Sequence, residues 1–489
     1  AVCGRVCTRP CESKCRRRTI DEAVAICDLK RFVADYAHKH ETEVTNDVVF
    51  PKNGKRVAII GAGAGGLTCG YYLARIGYDV NVYEAESVAG GVLAFGIPEY
   101  RLPKKVLQHE IDLITQAGVN LHLNIDVVKD VTFKSLRSRY DAVYVATGAQ
   151  FPEKVNIPGE SLQGVIHGID FLKSVNLRKE LRLGNTVAVI GGGNTAIDSA
   201  RTALRMGAKK VMVLYRRTKD AMPAYIEEVN DAVDEGIEII DLVSPVRFIG
   251  GRNGRVAKIE CIRNKLGGFG PDGRRRADPI EGSNFFIEAD NVIPAVSQYS
   301  DLPFIPKSEI GITPWGTFII DNDTMMTTMP GVFAGGDVAT ANRYVSVAIG
   351  DGRRAAQAIA VALGATDAEL MPTYTTADAV SAEEINTYYF PAIEPTERSK
   401  PPANQRLAGF AETRLGLAAQ EAAQEAARCM SCGTCIECDN CYVFCSDLAV
   451  QRDPDSTLHY TILKQYCKGC GVCAVECPRG CIVMEQETE

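Results

Sequence analysis

The sequence predicts an α/β protein. Two short β-branched runs each pass into a glycine loop and then into a helical stretch, and cysteines crowd into two fields near opposite ends of the chain. The strand–glycine–helix units place two Rossmann-like domains in the middle, because short runs that look continuously apolar suit buried parallel strands. The cysteine fields add a helical segment before them and a small α+β domain after them.

The first unit reads Arg56-Val-Ala-Ile-Ile followed by Gly61-Ala-Gly-Ala-Gly-Gly. Gly61 suits the tight turn, Gly63 lets backbone approach a pyrophosphate, and Gly66 lets helix and strand pack closely. The helix N-terminus adds free N–H groups and a positive dipole end for phosphates. After the helix, Tyr78-Asp-Val-Asn-Val-Tyr-Glu84 ends in an acid that can accept from both ribose hydroxyls. That favours an adenosine without a 2′-phosphate, as in FAD or NAD. The second unit is Thr186-Val-Ala-Val-Ile followed by Gly191-Gly-Gly-Asn-Thr-Ala, with Gly191, Gly193 and Ala196 in the three roles and Asn194 and Thr195 opening the helix. Its second strand, Lys210-Val-Met-Val-Leu-Tyr, ends in Arg216-Arg217 with no acid. A cation there suits a 2′-phosphate. An arginine can equally stack on adenine, so NADP(H) and NAD(H) both stay open.

A third element, Met329-Pro-Gly-Val-Phe-Ala-Gly-Gly-Asp337, sets Gly336 and one carboxylate, Asp337, against a polyol chain, and Ala348-Ile-Gly-Asp-Gly-Arg-Arg-Ala-Ala follows as a capping helix. Together with Gly61 and with Thr147 and Gly148 of Ala146-Thr-Gly148, it resembles the two-dinucleotide-binding flavoprotein family. The resemblance implies an FAD domain split by an inserted nicotinamide domain.

The 18 cysteines leave only Cys69 and Cys261 between the two fields, and these two read as buried structural thiols. Such crowding points to cluster or metal ligation in a reducing compartment rather than to a disulfide framework. In the C-terminal field, Cys435, Cys438, Cys441 and Cys445 follow C-x2-C-x2-C-x3-C spacing, and Cys467, Cys470, Cys473 and Cys477, followed by Pro478, repeat it. Three thiolates at intervals of three wrap one iron–sulfur cube, and the fourth reaches its sister cluster. One [4Fe–4S] cluster is therefore assigned to Cys435, Cys438, Cys441 and Cys477, the other to Cys467, Cys470, Cys473 and Cys445. Zinc more commonly takes two separated ligand pairs. Cys445 precedes Ser446 rather than proline. In the N-terminal field Cys3, Cys7, Cys11 and Cys15 stand four apart, a spacing that lines one helix face and suits a cluster or a zinc knuckle. Cys429 and Cys432 are left over beside the C-terminal field, as are Cys27 and Cys481, the last read as structural.

The rest of the composition narrows the function classes. A chain of 489 residues suggests about three domains. The formal net charge of −7 argues against nucleic-acid binding. The runs Arg16–Arg17–Arg18 and Arg274–Arg275–Arg276 read as solvated faces or partner contacts. No stretch approaches the ~18 apolar residues of a membrane span, and a cytoplasmic location is expected. The six histidines lack metal spacing. No Ser-His-Asp or paired-carboxylate arrangement stands out. A disulfide reductase needs a redox cysteine pair beside the flavin, for which Cys69 and Cys261 are poorly placed.

The motifs Cys3-Gly-Arg-Val-Cys7, Gly90-Gly-Val-Leu-Ala-Phe-Gly-Ile-Pro-Glu-Tyr-Arg-Leu-Pro-Lys104, Gly191-Gly-Gly-Asn-Thr-Ala-Ile-Asp198, Tyr215-Arg-Arg and Met222-Pro-Ala resemble the glutamate synthase small-subunit family. The resemblance covers roughly residues 1–370 and the helix before Cys429, with a two-cluster ferredoxin-like module beyond it. It implies FAD at Gly61, Gly63, Gly66, Glu84 and Asp337, with Gly91, Arg101, Thr147, Gly148 and Gly336 in the same site. It implies nicotinamide at Gly191, Gly193, Asn194, Thr195, Arg216 and Arg217. Among the N-terminal cysteines it implies Cys7, Cys11 and Cys15 as ligands more firmly than Cys3. Cys429-Met-Ser-Cys432 looks like the opening of the family's upstream motif, moved to the other end of the chain. The expected domains are 1–45 (cluster-bearing helices), 46–165 and 320–370 (FAD), 166–319 (NAD(P)), 371–428 (connecting arm and helix, after a linker over 41–54) and 429–489 (ferredoxin-like). The expected activity passes electrons between NAD(P)(H), FAD and [4Fe–4S] clusters, to or from a partner catalytic subunit or ferredoxin. A non-catalytic relay subunit is the reading from another class, and the intact glycine loops oppose it.

Overall fold

The computed structural model describes residues 1–40, 50–270, 273–306, 308–340, 342–365, 379–455 and 459–486. They form two compact units: Ala1–Thr8, Glu41–Met371 and Lys400–Leu415 in the larger, Arg9–His40, Pro372–Ser399 and Gly416–Glu489 in the smaller.

The larger unit carries strands β1 (Arg56–Ile60), β2 (Asp79–Tyr83), β3 (Val119–His122) and β4 (Ala142–Val145). There follow β5 (Thr186–Ile190), β6 (Lys210–Leu214) and β7 (Glu238–Ile240), then β8 (Val243–Gly250), β9 (Val256–Phe269), β10 (Arg275–Pro279) and β11 (Phe285–Glu288), and finally β12 (Asn291–Pro294) and β13 (Val332–Ala334). The first sheet has the order β13-β4-β1-β2-β3 and is parallel throughout. The second, β12-β5-β6-β7, is parallel as well. Strands buried on both faces need apolar residues at every position. Val57 and Ile59 of β1 enter one core with Leu67, Leu73 and Ile359, while Ala58 and Ile60 enter another with Phe133, Leu136 and Phe318. In the second sheet Val187 and Val189 face Ile197 and Ala200, while Ala188 and Ile190 face Phe248, Ile259 and Cys261 of the antiparallel strands β8 and β9. The chain leaves the first sheet through Phe151–Pro152 and returns through Gln298–Tyr299, and these two segments pair antiparallel. The first domain is thus split by the second, as the resemblance implied.

Helices α1 (Ala64–Arg75), α2 (Lys104–Gln116), α3 (Asn194–Arg205), α4 (Ile226–Asp234) and α5 (Val345–Ala362) cover these sheets. A Cβ on Gly352 of α5 would lie 2.3 Å from the Gly65 carbonyl oxygen of α1, so this crossing admits glycine alone.

The expected arm departs from the sequence reading. Residues 371–378 of it, 366–370 of the expected second FAD segment and 41–49 of the expected linker lie outside the described residues. Lys400–Leu415 belongs to the larger unit rather than to a tether. Its cations converge on Asp231 of α4, which is 1% exposed: Lys400 Nζ at 2.9 Å, Arg414 Nη2 at 3.2 Å and Arg406 Nη1 at 3.3 Å. Arg201 of α3 is buried among Glu228, Asp231 and Glu235, and its guanidinium lies 4.8 Å from the Tyr100 ring centroid. Polar, proline-rich sequence looks like solvated chain until its charges find buried partners.

In the smaller unit, helices Ile26–Lys39 and Ala419–Ala427 lie within the segments 1–45 and 371–428 for which helices were expected. The N-terminal cysteines do not line one helix. Cys3–Val6 and Pro10–Ser13 are separate turns, with Arg9 between them at φ 56°. Pro10 has no N–H to continue the first turn, and its ring clashes with a helical residue before it. The unit boundary falls inside this field, leaving Cys3 and Cys7 in the larger unit and Cys11 and Cys15 in the smaller. Of the run Arg16–Arg18, Arg18 is exposed but Arg17 is not a solvated residue: it is 2% exposed and donates to Asp21 at 2.7 Å and to the Arg428 carbonyl at 3.2 Å. Strands β14 (Val450–Arg452) and β15 (Tyr460–Ile462) pair antiparallel between the two cysteine quartets. Among the described residues no helix is long and apolar enough to cross a membrane.

Removing Asp231 tests the buried network. Asp231→Ala leaves three cations facing a vacated acceptor, and breaking a buried pair from one side costs about 3–5 kcal/mol. Urea unfolding followed through the flavin absorbance should show that loss, whereas Asp234→Ala, at a largely exposed carboxylate, should change stability by under ~0.5 kcal/mol.

A candidate two-nucleotide cavity and cysteine sites

A cavity of 690 Å³ in the larger unit is walled by both glycine loops. Gly61, Gly63, Glu84, Gly91, Arg101, Thr147, Gly148, Gly336 and Asp337 line it from the first domain, and Gly193, Asn194 and Thr195 from the second. Each loop divides its glycines between packing and cradle. Gly61, at φ +102°, would place a Cβ 2.6 Å from the Ala146 carbonyl oxygen, and Gly66 would place one 2.0 Å from the Gly61 oxygen. A Cβ on Gly191 would lie 2.3 Å from the Ala295 oxygen. Gly193 has nothing within 4 Å, and Gly63 only the Ala146 oxygen at 4.0 Å. These two positions open onto the cavity ahead of α3 and α1, where unsatisfied N–H groups favour phosphate.

The polar groups around the first loop are oriented for a ligand. Glu84 is 8% exposed, and its two oxygens accept from the Ala62 and Glu86 N–H groups at 2.8 and 2.9 Å. Each oxygen keeps a second lone pair for a ribose hydroxyl. Burial pushes the Glu84 carboxyl up, and these backbone donors oppose the shift. Asp337 is pushed up to about 6 by burial, with the Arg343 guanidinium opposing. Asp351 of α5 accepts from the Gly336 N–H at 2.9 Å, which holds the loop before Asp337. The Thr147 hydroxyl is buried without a hydrogen-bond partner. A buried orphan hydroxyl, two carboxylates with free lone pairs and an open glycine suit a flavin dinucleotide's ribose, ribityl and pyrophosphate groups.

In the second loop, Asn194 accepts from the Tyr225 N–H at 3.1 Å and Thr195 from Gln298 at 3.2 Å. Of the two expected arginines, Arg216 is exposed at the end of β6, while Arg217 is buried and donates to the Arg275 carbonyl at 2.6 Å. Arg101 reaches the cavity wall, but its guanidinium is held by Asp198 at 2.6 Å and Glu228 at 3.4 Å. Sequence reasoning did not single out Asp198, Tyr225 or Arg343, which also line the cavity, and it read Arg274, another lining residue, only as part of a solvated run or partner contact. Asp198 stood inside a quoted motif. Tyr225 and Arg343 come from loops with no motif of their own.

The C-terminal cysteines gather in sets. The Cys441 thiol is pushed up to about 11 by burial, with neighbouring Cys438, Cys435 and Cys477 adding to the shift. Cys473 is raised by burial, with Cys467 and Cys470 beside it. At Cys445 burial is outweighed by backbone N–H groups, including Ala449 N–H at 3.2 Å from its Sγ, and the thiol is lowered. Cys432 is raised by burial, and the thiols of Cys429 and Cys15 add to this. Among the described residues no three His, Cys, Asp or Glu side chains converge as around a single metal ion. Cys69 and Cys261 are both fully buried and, as expected, neither lines the cavity.

The sequence profile of the pyridine nucleotide-disulphide oxidoreductase family matches residues 55–360. The chain belongs to that family. The profile described as dihydropyrimidine dehydrogenase domain II, 4Fe-4S cluster, matches residues 1–42. The chain is 40% identical to the NADP(+)-dependent formate dehydrogenase subunit beta of Moorella thermoacetica, over 88% of this chain and 65% of that protein. It is 37% identical to the NADPH-Fe(3+) oxidoreductase subunit beta of Geobacter sulfurreducens, over 88% of this chain and 69% of that one. With the glutamate synthase [NADPH] small chain of Azospirillum brasilense it shares 36% identity over 73% of this chain and 77% of that one, in keeping with the resemblance above. The chain thus spans about two thirds of the length of the first two relatives. Among solved structures, Mycobacterium tuberculosis FprA in complex with NADPH superposes with a TM-score of 0.55 at 19% identity, covering 63% of this chain and 84% of FprA, which supports the fold. The family fold with the cavity, and the matched 4Fe-4S domain with the cysteine fields, make FAD, a nicotinamide dinucleotide and [4Fe–4S] clusters the cofactors of this chain.

The division of labour among the glycines is testable. Gly193→Val should leave unfolding midpoints within error, because its Cβ meets open space, yet weaken nicotinamide dinucleotide binding at least tenfold. Gly66→Ala should lower stability by about 1–3 kcal/mol instead, since its Cβ overpacks against backbone. Thermal unfolding and nucleotide titration of the two variants separate these outcomes.

Proposed function

We propose that this chain is the electron-input or electron-output subunit of a larger oxidoreductase, passing electrons between NADP(H), FAD and [4Fe–4S] clusters toward a partner catalytic subunit. The observation that carries the reading is the single cavity walled by both glycine loops, in a chain that also bears two cysteine quartets. When bound, a flavin accepts two electrons as hydride and releases them singly, while each cluster takes one. The residues of the chain would supply position: Gly63 and Gly193 would admit phosphates, and Glu84 and Asp337 would hold ribose and polyol.

We assign one C-terminal cluster to Cys435, Cys438, Cys441 and Cys477, and its sister to Cys467, Cys470, Cys473 and Cys445. The grouping of Cys441 with Cys435, Cys438 and Cys477 supports the interleaved ligation. A further cluster belongs to the N-terminal field, and the neighbourhood of Cys15, Cys429 and Cys432 supports drawing its ligands from both ends of the chain. The relatives named for NADP, and a cation in place of an acid after β6, favour NADP(H) over NAD(H). A disulfide reductase has no support, because Cys69 and Cys261 are separately buried and burial pushes Cys261 up to about 12.

The subunit names of the relatives support a partner. Each all-cysteine [4Fe–4S]2+ centre adds about −2 of charge, so a partner with a basic docking face fits. A 2-oxoacid:acceptor oxidoreductase, a formate-oxidising subunit or a glutamate-synthase-type subunit is the class to seek by native co-purification.

Anaerobic NADPH should bleach the flavin absorbance within the mixing time and then reduce the clusters. Iron analysis should give at least about eight Fe per chain, and Cys438→Ser should remove one cluster's iron and EPR signal. Flavin that stays oxidised under excess NADPH would exclude the reading, and a monomer reducing ferredoxin at full rate unaided would replace the subunit with a free-standing ferredoxin reductase. Arg216→Ala should weaken NADPH by about 1.5–3 kcal/mol while sparing NADH, the loss of one charge-assisted contact. Equal losses, read by flavin-reduction titration, would assign Arg216 to adenine stacking.

A further inference from the structure

The Asp198 carboxylate has no part in the site as built so far. It lies one turn into α3, is 4% exposed, and lines the cavity. Its Oδ2 accepts from Arg101 Nη1 at 2.6 Å, while its Oδ1 is buried without a hydrogen-bond partner. Arg101 is already held on its other side by Glu228 at 3.4 Å, so it does not turn to serve both oxygens. Burial pushes the Asp198 carboxyl up to about 6 despite the Arg101 cation, the mark of a carboxylate short of donors. A buried acceptor left unmet costs about 1–3 kcal/mol, and here the vacant oxygen is on a cavity wall.

Position selects the donor. Arg101 comes from the segment after β2, in the first domain, while Asp198 comes from the helix of the second. The pair therefore stands where the two nucleotide domains meet. Adenosine ribose hydroxyls belong at the ends of β2 and β6, beside Glu84 and Arg216, and pyrophosphates at the glycine loops. The donor that a nicotinamide dinucleotide carries to the boundary between domains is its carboxamide N–H. We infer that Asp198 Oδ1 accepts the carboxamide N–H of the nicotinamide ring, making Asp198 a binding and positioning residue for the redox end of the dinucleotide. The inference rests on the NADP(H) reading above and names the group that orients the ring.

The test compares NADPH with its 3-acetylpyridine analogue, which keeps the ring carbonyl but replaces the carboxamide NH2 with methyl. Affinities are measured by anaerobic flavin-reduction titration of the holoprotein, with iron and flavin content confirming that each variant is loaded. Asp198→Asn keeps a carbonyl for Arg101 and offers an NH2 donor in place of Oδ1. Asp198→Ala paired with Arg101→Met removes both charges together, so that one route survives if the other fails to fold. In either variant NADPH affinity should fall about tenfold while that of the analogue changes less than twofold, erasing the preference of the parent protein. Equal weakening of both nucleotides, or no change in either, overturns the role of Asp198. Failure of NADPH to reduce the flavin in the parent protein instead overturns the functional reading itself.

Discussion

The close approach of helix to strand at each glycine loop is the constraint on which the rest of the larger unit depends. Gly66 sits so near the Gly61 carbonyl that any side chain there would displace α1. That contact sets the helix N-terminus over the end of β1, and with it the N–H groups that face the cavity. Gly352 performs the same service where α5 crosses α1, and α5 in turn carries Asp351, which holds the loop bearing Asp337. A chain of close contacts from β1 to α5 thus places Asp337 relative to Glu84 on the cavity wall.

Charge buried away from the cavity holds the second domain in shape. α3 and α4 meet through Arg201, Glu228 and Glu235, and Lys400, Arg406 and Arg414 reach Asp231 from a segment remote in sequence. Such pairs give little net stability over apolar packing, but removing one partner is costly. The network is continuous with the cavity through Glu228, Arg101 and Asp198. The cavity wall at Arg101 and Asp198 is therefore tied to residues 400–415.

The smaller unit uses the same physics around thiols. Arg17, Asp21, Glu425 and Arg428 form a buried cluster, with Arg428 Nη2 at 2.9 Å from Asp21. Arg17 lies two residues after Cys15, and Arg428 immediately precedes Cys429. Fixing those arginines fixes the two cysteines that flank them. In the C-terminal field, cysteines at intervals of three flank the β14–β15 pair, and backbone N–H groups such as that of Ala449 point at sulfur.

The sequence by itself determined the features that follow from local rules. The continuous burial of β1 and β5, the glycine order in both loops, the acid closing β2 and the cation closing β6 depend on residues within some thirty positions of one another. Cysteine spacing is local in the same way, which is why the quartets were legible while the N-terminal field was not. There Pro10 broke a helix that spacing alone suggested, and Arg17 entered the interior from a run that looked solvated. Only the tertiary structure decided which polar groups are buried and whom they meet. Arg101 lines the cavity with its guanidinium held by Asp198 and Glu228, Arg217 turns to a carbonyl while Arg216 is exposed, and a proline-rich arm supplies three cations to one carboxylate. The reason is that burial penalises an unpaired charge wherever it arises, and its partner can come from any distance along the chain.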